Sequence, residues 1–224
     1  MVFKRSWMAG DKARIMVPVM AVVTLWAFVA IAGVNEDLME AAKRGDLAAV
    51  KSLVGKGADV NTKNKDGVTV LILACVNGSR EVVQALLDKK ADVNVKDKGG
   101  YTALMAASGM GHQEAVQALL GKAAEVNARN KDGITALMFA SQNGDKEVVW
   151  ALLGKGADVN AKDKNGYTAL MAASGMGHRE VVQALLEKKA DVNAKANNGA
   201  TALTAASQNA HSDVRELLIK AGAK

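Results

Sequence analysis

Residues 166–188 read GYTALMAASGMGHREVVQALLEK and residues 100–122 read GYTALMAASGMGHQEAVQALLGK, with three differences in 23 positions. This similarity belongs to a repeat that runs through most of the chain. A Gly followed two residues later by Thr recurs every 33 residues, and a Leu-Leu pair recurs at nearly the same step. Five repeats share this register, with their glycines at Gly67, Gly100, Gly133, Gly166 and Gly199.

Each repeat carries the signals of two short helices joined by a turn. Thr168 precedes an apolar run, where its hydroxyl can accept from the free N–H groups of a first helix. Gly177 supplies the backbone freedom that a turn between helices needs, and a second helix follows. The Asp, Asn and Gly residues between repeats predict tight, hairpin-like loops. Because helices this short are marginal alone, the repeats must stack and fold cooperatively.

A sixth unit precedes these five and has the features of an N-terminal cap. It keeps Ala41, Ala42 and Gly45 but lacks the Gly-x-Thr opening. Ala210 stands where earlier units have Gly, so a positive φ there would weaken the last unit by about 0.5–1 kcal/mol. The predicted units, numbered one to six below, cover about residues 35–64, 65–97, 98–130, 131–163, 164–196 and 197–224.

The recurring pattern Asp-Gly-x-Thr-Ala-Leu-Met-x-Ala-Ser-x-x-Gly, followed by Glu-Val-Val-x-Ala-Leu-Leu-x-x-Gly-Ala-Asp-Val-Asn-Ala, resembles the ankyrin repeat. The resemblance covers Asn35 to Lys224 and implies an all-α solenoid of stacked helix-turn-helix units joined by hairpin-like loops. The sequence departs from the Thr-Pro-Leu-His motif of that family. In three units Met stands in the place of His. That exchange weakens the polar network between units that the resemblance implies, and we expect apolar packing to compensate at Met105, Met138 and Met171.

Composition and charge narrow the functional classes. Aromatic residues make up 4% of the chain and there is one Pro, which argues against a β-sandwich. The net charge of +6 divides evenly between two parts of the chain. Residues 1–32 hold four basic residues and one acidic residue, and the remainder holds 25 basic and 22 acidic residues. The repeats are therefore too near neutrality to predict nucleic-acid binding.

The N-terminal segment 1–32 predicts membrane targeting. Residues 15–32 read IMVPVMAVVTLWAFVAIA, with no charge, after four basic residues. This pattern fits a cleaved signal peptide with a site near Ala32, and it also fits an uncleaved signal anchor. Basic residues keep the N-terminus in the cytoplasm in both cases. We therefore expect the repeats in the periplasm of a bacterium or secreted, or held outside the inner membrane by a single span.

The sequence offers no catalytic, cofactor or metal site. It contains no phosphate-binding loop, no nucleophile elbow and no His-Glu-x-x-His pair. His112, His178 and His211 fall where other units have helix-capping residues, so we expect them to open helices. Cys75 has no His in its unit and is expected in the core. The prediction is a protein without enzymatic activity.

The family resemblance implies a concave binding face built from loop tips and first helices. Applied to each unit, the resemblance indicates two binding positions. One is the residue after the Gly of the Gly-x-Thr opening, and the other is the residue before the Gly that joins the two helices. Tyr and Met suit binding anchors at such positions, although packing on their own loops is an open alternative. The candidate partner-binding residues are Val68, Tyr101, Ile134 and Tyr167, and Asn77, Met110, Asn143 and Met176.

Basic residues recur beside these positions and extend the candidate surface. Stacked units would align them into ladders that could attract an acidic protein, an anionic lipid headgroup or a polyanion. Interleaved Asp66, Asp97, Asp132 and Asp163 favour a solvated rim of mixed charge instead. We expect a monomer whose partner is another protein. The basic candidates are Lys98, Lys131, Lys164, Arg129 and Lys162, in series with Lys65, Lys96 and Lys195.

Overall fold

The computed structural model describes residues 33–224. The predicted signal peptide or anchor, residues 1–32, lies outside the described residues. Within residues 33–224, no helix combines the length and the apolar composition that a membrane span requires.

The described residues form twelve helices and no strand, which confirms the all-α solenoid. Helical residues 33–44 form α1. The others are α2 (Leu47–Gly55), α3 (Val70–Asn77), α4 (Arg80–Asp88), α5 (Ala103–Met110), α6 (Gln113–Gly121), α7 (Ala136–Asn143), α8 (Lys146–Gly154), α9 (Ala169–Met176), α10 (Arg179–Glu187), α11 (Ala202–Gln208) and α12 (Ser212–Lys220).

Thr residues begin the first helix of each unit, as the sequence predicts. The hydroxyl of Thr102 accepts a hydrogen bond from the backbone N–H of Met105 at 3.3 Å. Such a cap contributes about 1 kcal/mol by satisfying one of the free N–H groups at the helix start. Equivalent caps open α3, α7, α9 and α11, at Thr69, Thr135, Thr168 and Thr201.

The helices stack in two parallel rows, and the core lies between them. First helices α3, α5, α7, α9 and α11 contact their neighbours in one row, while second helices α2, α4, α6, α8, α10 and α12 do so in the other. Leu137 and Leu152 of unit four are fully buried. Truncating such a Leu to Ala costs about 2–5 kcal/mol. The expected apolar packing is confirmed, since Met105, Met138 and Met171 are all buried.

The loops between units are hairpins, as predicted, and each is joined to the next. The backbone N–H of Asp97 donates to the carbonyl of Tyr101 at 3.0 Å, and the carboxylate of Asp97 accepts from the Tyr101 N–H at 2.8 Å. Gly100 has φ +84°, and a Cβ there would lie 2.9 Å from Cα of Asn130 in the next loop. Gly is therefore required both for the turn and for this close approach. The Lys131 N–H then donates to the Gly99 carbonyl at 2.9 Å.

Side-chain hydrogen bonds also join neighbouring units, and the histidines take part in them. His112 stands at the N-cap position of α6, as expected, but its side chain makes no capping bond. Its Nε2 lies instead 3.2 Å from the carbonyl oxygen of Val76 in unit two. The imidazole is long enough to span two layers, whereas Ser79 in the same position caps its own helix. His178 and His211 repeat the bridge, to Gln142 and Gly175.

Two single-residue expectations are confirmed. Ala210 adopts φ 59°, the left-handed conformation expected of the Gly that it replaces. Cys75 is fully buried in α3. Burial raises the pKa of its thiol to about 12, because the thiolate would lose its hydration.

Candidate binding surface

Of the large apolar side chains exposed in residues 33–224, all but Ile219 of α12 lie on the surface formed by the hairpins and the first helices, called the inner surface below. Tyr101 is 36% exposed and Tyr167 37%, while Met110 and Met176 at the ends of α5 and α9 are 56% and 52% exposed. Val76, at 44%, occupies the corresponding last turn of α3. Such residues retain accessible apolar area of the kind that binding anchors use.

Tyr101 belongs to a continuous apolar surface that crosses from unit three to unit four. Its ring centroid lies 5.8 Å from that of Phe139 in α7, with the rings tilted by 38°. Phe139 in turn lies beside Gly109 near the end of α5, where an added Cβ would be 3.6 Å from the Cβ of Phe139. Met110 follows Gly109 directly. The hairpin aromatic residue is thereby linked to the helix end that carries the exposed Met.

Tyr167 occupies the same position two units later but has a different neighbour. Its hydroxyl accepts a hydrogen bond from Nδ2 of Asn198 in the next hairpin at 3.1 Å. The place of Phe139 is taken by Ala205, and an added Cβ on Gly175 would lie 3.7 Å from the Cβ of Ala205. A methyl group replaces an aromatic ring here, so this second site is more open than the first.

The other apolar and amide candidates are less available. Val68 and Ile134 are half-buried and pack against the core. Asn77 is exposed, but its Nδ2 donates to the carbonyl of Lys43 in unit one at 3.2 Å. Asn143 is exposed beside Gly111. Their roles in binding stay predictions.

The basic candidates are exposed and form rows along the stack. Nζ of Lys96 donates to the carbonyl of Arg129 at 3.4 Å, and Nζ of Lys162 donates to the carbonyl of Lys195 at 3.3 Å. Lys98, Lys131 and Lys164 project from successive hairpin tips. The ion pairs found in residues 33–224, Lys43 with Glu40 and Lys122 with Asp88, involve none of these side chains.

The His and Cys side chains of residues 33–224 are engaged in contacts between units or buried. In residues 33–224, no three His, Cys, Asp or Glu side chains are grouped as metal ligands. The imidazoles of His112, His178 and His211 each contact a carbonyl of the preceding unit. The Cys75 thiol is buried and stays protonated at neutral pH.

Sequence reasoning missed Phe139 and Val76. Phe139 lies within an apolar helical run, a position that predicts burial. The exposure of Val76 could be predicted, because the equivalent positions in units three and four hold Gly109 and the polar residue Gln142. A position that accepts polar and apolar residues is typical of an exposed surface.

Comparison with known proteins identifies the family. A family model described as ankyrin repeats (3 copies) matches residues 38–130 and 137–224. No curated protein matches the chain significantly. Ankyrin repeats mediate protein–protein interactions and are typically non-enzymatic. With four fifths of its length matched in two consecutive blocks, the chain belongs to the ankyrin-repeat family.

Proposed function

We propose that this chain is a non-enzymatic module that binds another protein through its inner surface, outside the cytoplasm of a bacterium. The observation that carries the proposal is the exposure of Tyr101, Met110, Tyr167 and Met176 on one surface of a hydrogen-bonded stack. Because hairpins and helices are fixed by bonds between units, the partner meets an ordered surface. Preorganisation of this kind lowers the entropic cost of association.

Export is the second element of the proposal and rests on the sequence. Residues 15–32 are uncharged and follow four basic residues, a pattern typical of secretory targeting. We favour cleavage near Ala32, because the repeats begin almost immediately after it. The alternative is a protein anchored in the inner membrane by residues 15–32, with the repeats on the same side of the membrane. N-terminal sequencing of the mature protein distinguishes cleavage from anchoring.

Binding is tested by affinity capture from the native cell envelope. The bait is the full chain with a C-terminal tag, compared with a Tyr101→Ala/Tyr167→Ala variant. The matched control is Gln84→Ala/Gln183→Ala, which alters two exposed residues of the second helices α4 and α10. We expect a partner that the unaltered and control proteins retain and that the Tyr variant loses. Equal capture by all three proteins would exclude the inner surface as the binding site.

Binding to a polyanion is the second candidate function, and the exposed basic rows favour it. Affinity for a polyanion falls steeply as salt rises, whereas an interface anchored by Tyr and Met changes little. Measuring capture at two salt concentrations separates the two functions.

A further inference from the structure

The chemistry of the inner surface alternates from unit to unit. Units three and five each present an exposed Tyr on the hairpin and an exposed Met at the end of the first helix. Unit four, between them, presents the polar residues Gln142 and Asn143 at the end of α7. The surface therefore has two apolar sites, Tyr101 with Met110 and the adjoining Phe139, and Tyr167 with Met176, separated by the polar end of α7.

The spacing of the two sites matches an extended peptide. Packed helices lie about 8–10 Å apart, so equivalent positions two units apart are separated by about 16–20 Å. An extended chain advances about 3.3 Å per residue and covers about 20 Å in six residues. Side chains six residues apart also point to the same face of the chain, because successive side chains alternate. Two anchors at positions i and i+6 can thus reach both sites.

The hairpin tips carry an excess of basic side chains, which favours an acidic ligand over a basic one. Within the hairpin segments 63–68, 96–101, 129–134, 162–167 and 195–200, nine exposed basic side chains stand beside four carboxylates, Asp66, Asp97, Asp132 and Asp163. Further exposed carboxylates precede each segment by four residues, and one of them, Glu125, lines a pocket with Lys96 and Arg129. The carboxylates of Asp97 and Asp163 are already hydrogen-bonded to the N–H groups of Tyr101 and Tyr167. No carboxylate of residues 33–224 forms an ion pair with the nine cations, Lys63, Lys65, Lys96, Lys98, Arg129, Lys131, Lys162, Lys164 and Lys195.

We infer that the inner surface binds an extended, acidic peptide segment of a partner protein, with two apolar side chains six residues apart. One anchor contacts Tyr101, Phe139 and Met110, and the other contacts Tyr167 and Met176. Acidic residues between the anchors face the basic hairpin tips. The inference rests on the proposed protein-binding function and specifies the partner's recognition element.

The test uses three fluorescently labelled peptides and the purified full chain. The matched peptide is Glu-Phe-Asp-Ser-Glu-Ser-Asp-Phe-Glu, with its aromatic anchors six residues apart. The second has the same composition with the anchors adjacent, and the third replaces every acidic residue with Lys. Fluorescence anisotropy gives the three dissociation constants. We expect the matched peptide to bind at least about tenfold more tightly than either control, since tenfold corresponds to one well-placed contact.

Variants locate the binding peptide on the surface. Tyr101→Ala and Met176→Ala, one in each site, should each weaken the matched peptide by about tenfold and leave the adjacent-anchor peptide little changed. Gln84→Ala/Gln183→Ala is the control, with affinity unchanged. Far-ultraviolet circular dichroism verifies that each variant is folded. Equal affinity for the matched and adjacent-anchor peptides, or for the acidic and basic peptides, would overturn the inference.

The envelope capture described above keeps the two proposals separate. If a partner is captured in a Tyr-dependent manner while the matched peptide shows no preferential binding, the protein-binding function holds and the inference on peptide chemistry fails. If the matched peptide binds and no Tyr-dependent partner is captured, the recognition chemistry holds and the proposed envelope function fails.

Discussion

The side chain of Asn127 in unit three hydrogen-bonds at both ends to unit four. Its Oδ1 accepts from the N–H of Asp158 at 2.8 Å, and its Nδ2 donates to the carbonyl of Gly156 at 3.0 Å. The same pair of bonds recurs at Asn94, Asn160 and Asn193. The Asn that ends the Asp-Val-Asn motif, which is Glu-Val-Asn in unit three, is therefore a regular connector between neighbouring layers from unit two onward, and Asn61 of unit one keeps the accepting bond alone, from the Asp92 N–H.

Replacing this connector should weaken the coupling between units. We expect Asn127→Ala to lower the free energy of unfolding by about 1–2 kcal/mol, because two hydrogen bonds worth about 1 kcal/mol each are lost at an exposed site. Urea denaturation followed by circular dichroism measures the change. Asn127→Asp keeps the acceptor but sets a carboxylate oxygen against the Gly156 carbonyl in place of the donor, so it should not restore the lost stability. An equal loss from Gln117→Ala, an exposed residue of α6, would contradict this role.

The fold could be predicted because the repeat makes each signal visible several times. A single Thr before an apolar run is weak evidence, but five at one spacing predict the helix starts that the structure has. The role of Asn127 as a connector was harder to predict from the sequence. Asn in such a motif predicts a turn, and its bonding to Asp158 depends on how closely two units approach. The bridge of His112 to Val76 depends on the same distance.

The candidate surface was predicted less completely than the fold. Repeat position identified Tyr101 and Met110, whose exposure the structure shows. Repeat position also indicated Val68 and Ile134 as binding residues, but these two are half-buried and pack on the core. Burial at these positions depends on side-chain size and on the neighbouring unit, and repeat position specifies neither.

Three buried serines at equivalent positions of units three, four and five, Ser108, Ser141 and Ser174, offer a way to stabilise the stack. Ser141 in α7 is fully buried, and its hydroxyl finds no hydrogen-bond partner in the described part of the chain. We expect Ser141→Ala to raise the free energy of unfolding by about 1 kcal/mol, because an unpaired polar group costs about 1–3 kcal/mol and Ala favours the helix. Ser207→Ala is the control, since Ser207 is exposed and donates to the Leu203 carbonyl at 2.7 Å. No gain at Ser141 relative to this control would refute the expectation.

Equivalent positions with Ala and Gly allow a reciprocal test of backbone strain. Ala123 adopts φ 60°, and Gly156, 33 residues later, adopts φ 83°. Ala123→Gly should stabilise the protein and Gly156→Ala should destabilise it, each by about 0.5–1 kcal/mol, because a Cβ is disfavoured in the left-handed region. An added Cβ on Gly156 meets no atom within 4 Å, so steric contact does not confuse the comparison. Urea midpoints that move in the same direction for both variants would rule out strain as the cause.

Cys75 should make stability depend on alkaline pH. Burial raises its thiol pKa from 9.0 to about 12, so the folded chain keeps the proton over a range in which the unfolded chain releases it. Below about pH 9 the thiol is protonated in both the folded and the unfolded state, so its ionisation does not lower the free energy of unfolding there. Above that pH the unfolded state gains stability by ionising, and the free energy of unfolding falls by up to about 1.4 kcal/mol per pH unit until the folded pKa is reached.

The Cys75→Ala variant isolates this contribution from the titration of Lys and Tyr. Urea denaturation of both proteins between about pH 8 and about pH 10.5 gives their difference in unfolding free energy at each pH. A cavity left by Ala shifts that difference by a constant amount, so only its slope reports the thiol. We expect the unaltered protein to lose stability relative to the variant as the pH rises above about 9. A pH-independent difference would mean that the thiol ionises as readily in the folded stack as in the unfolded chain, and that the α3 core is open to water.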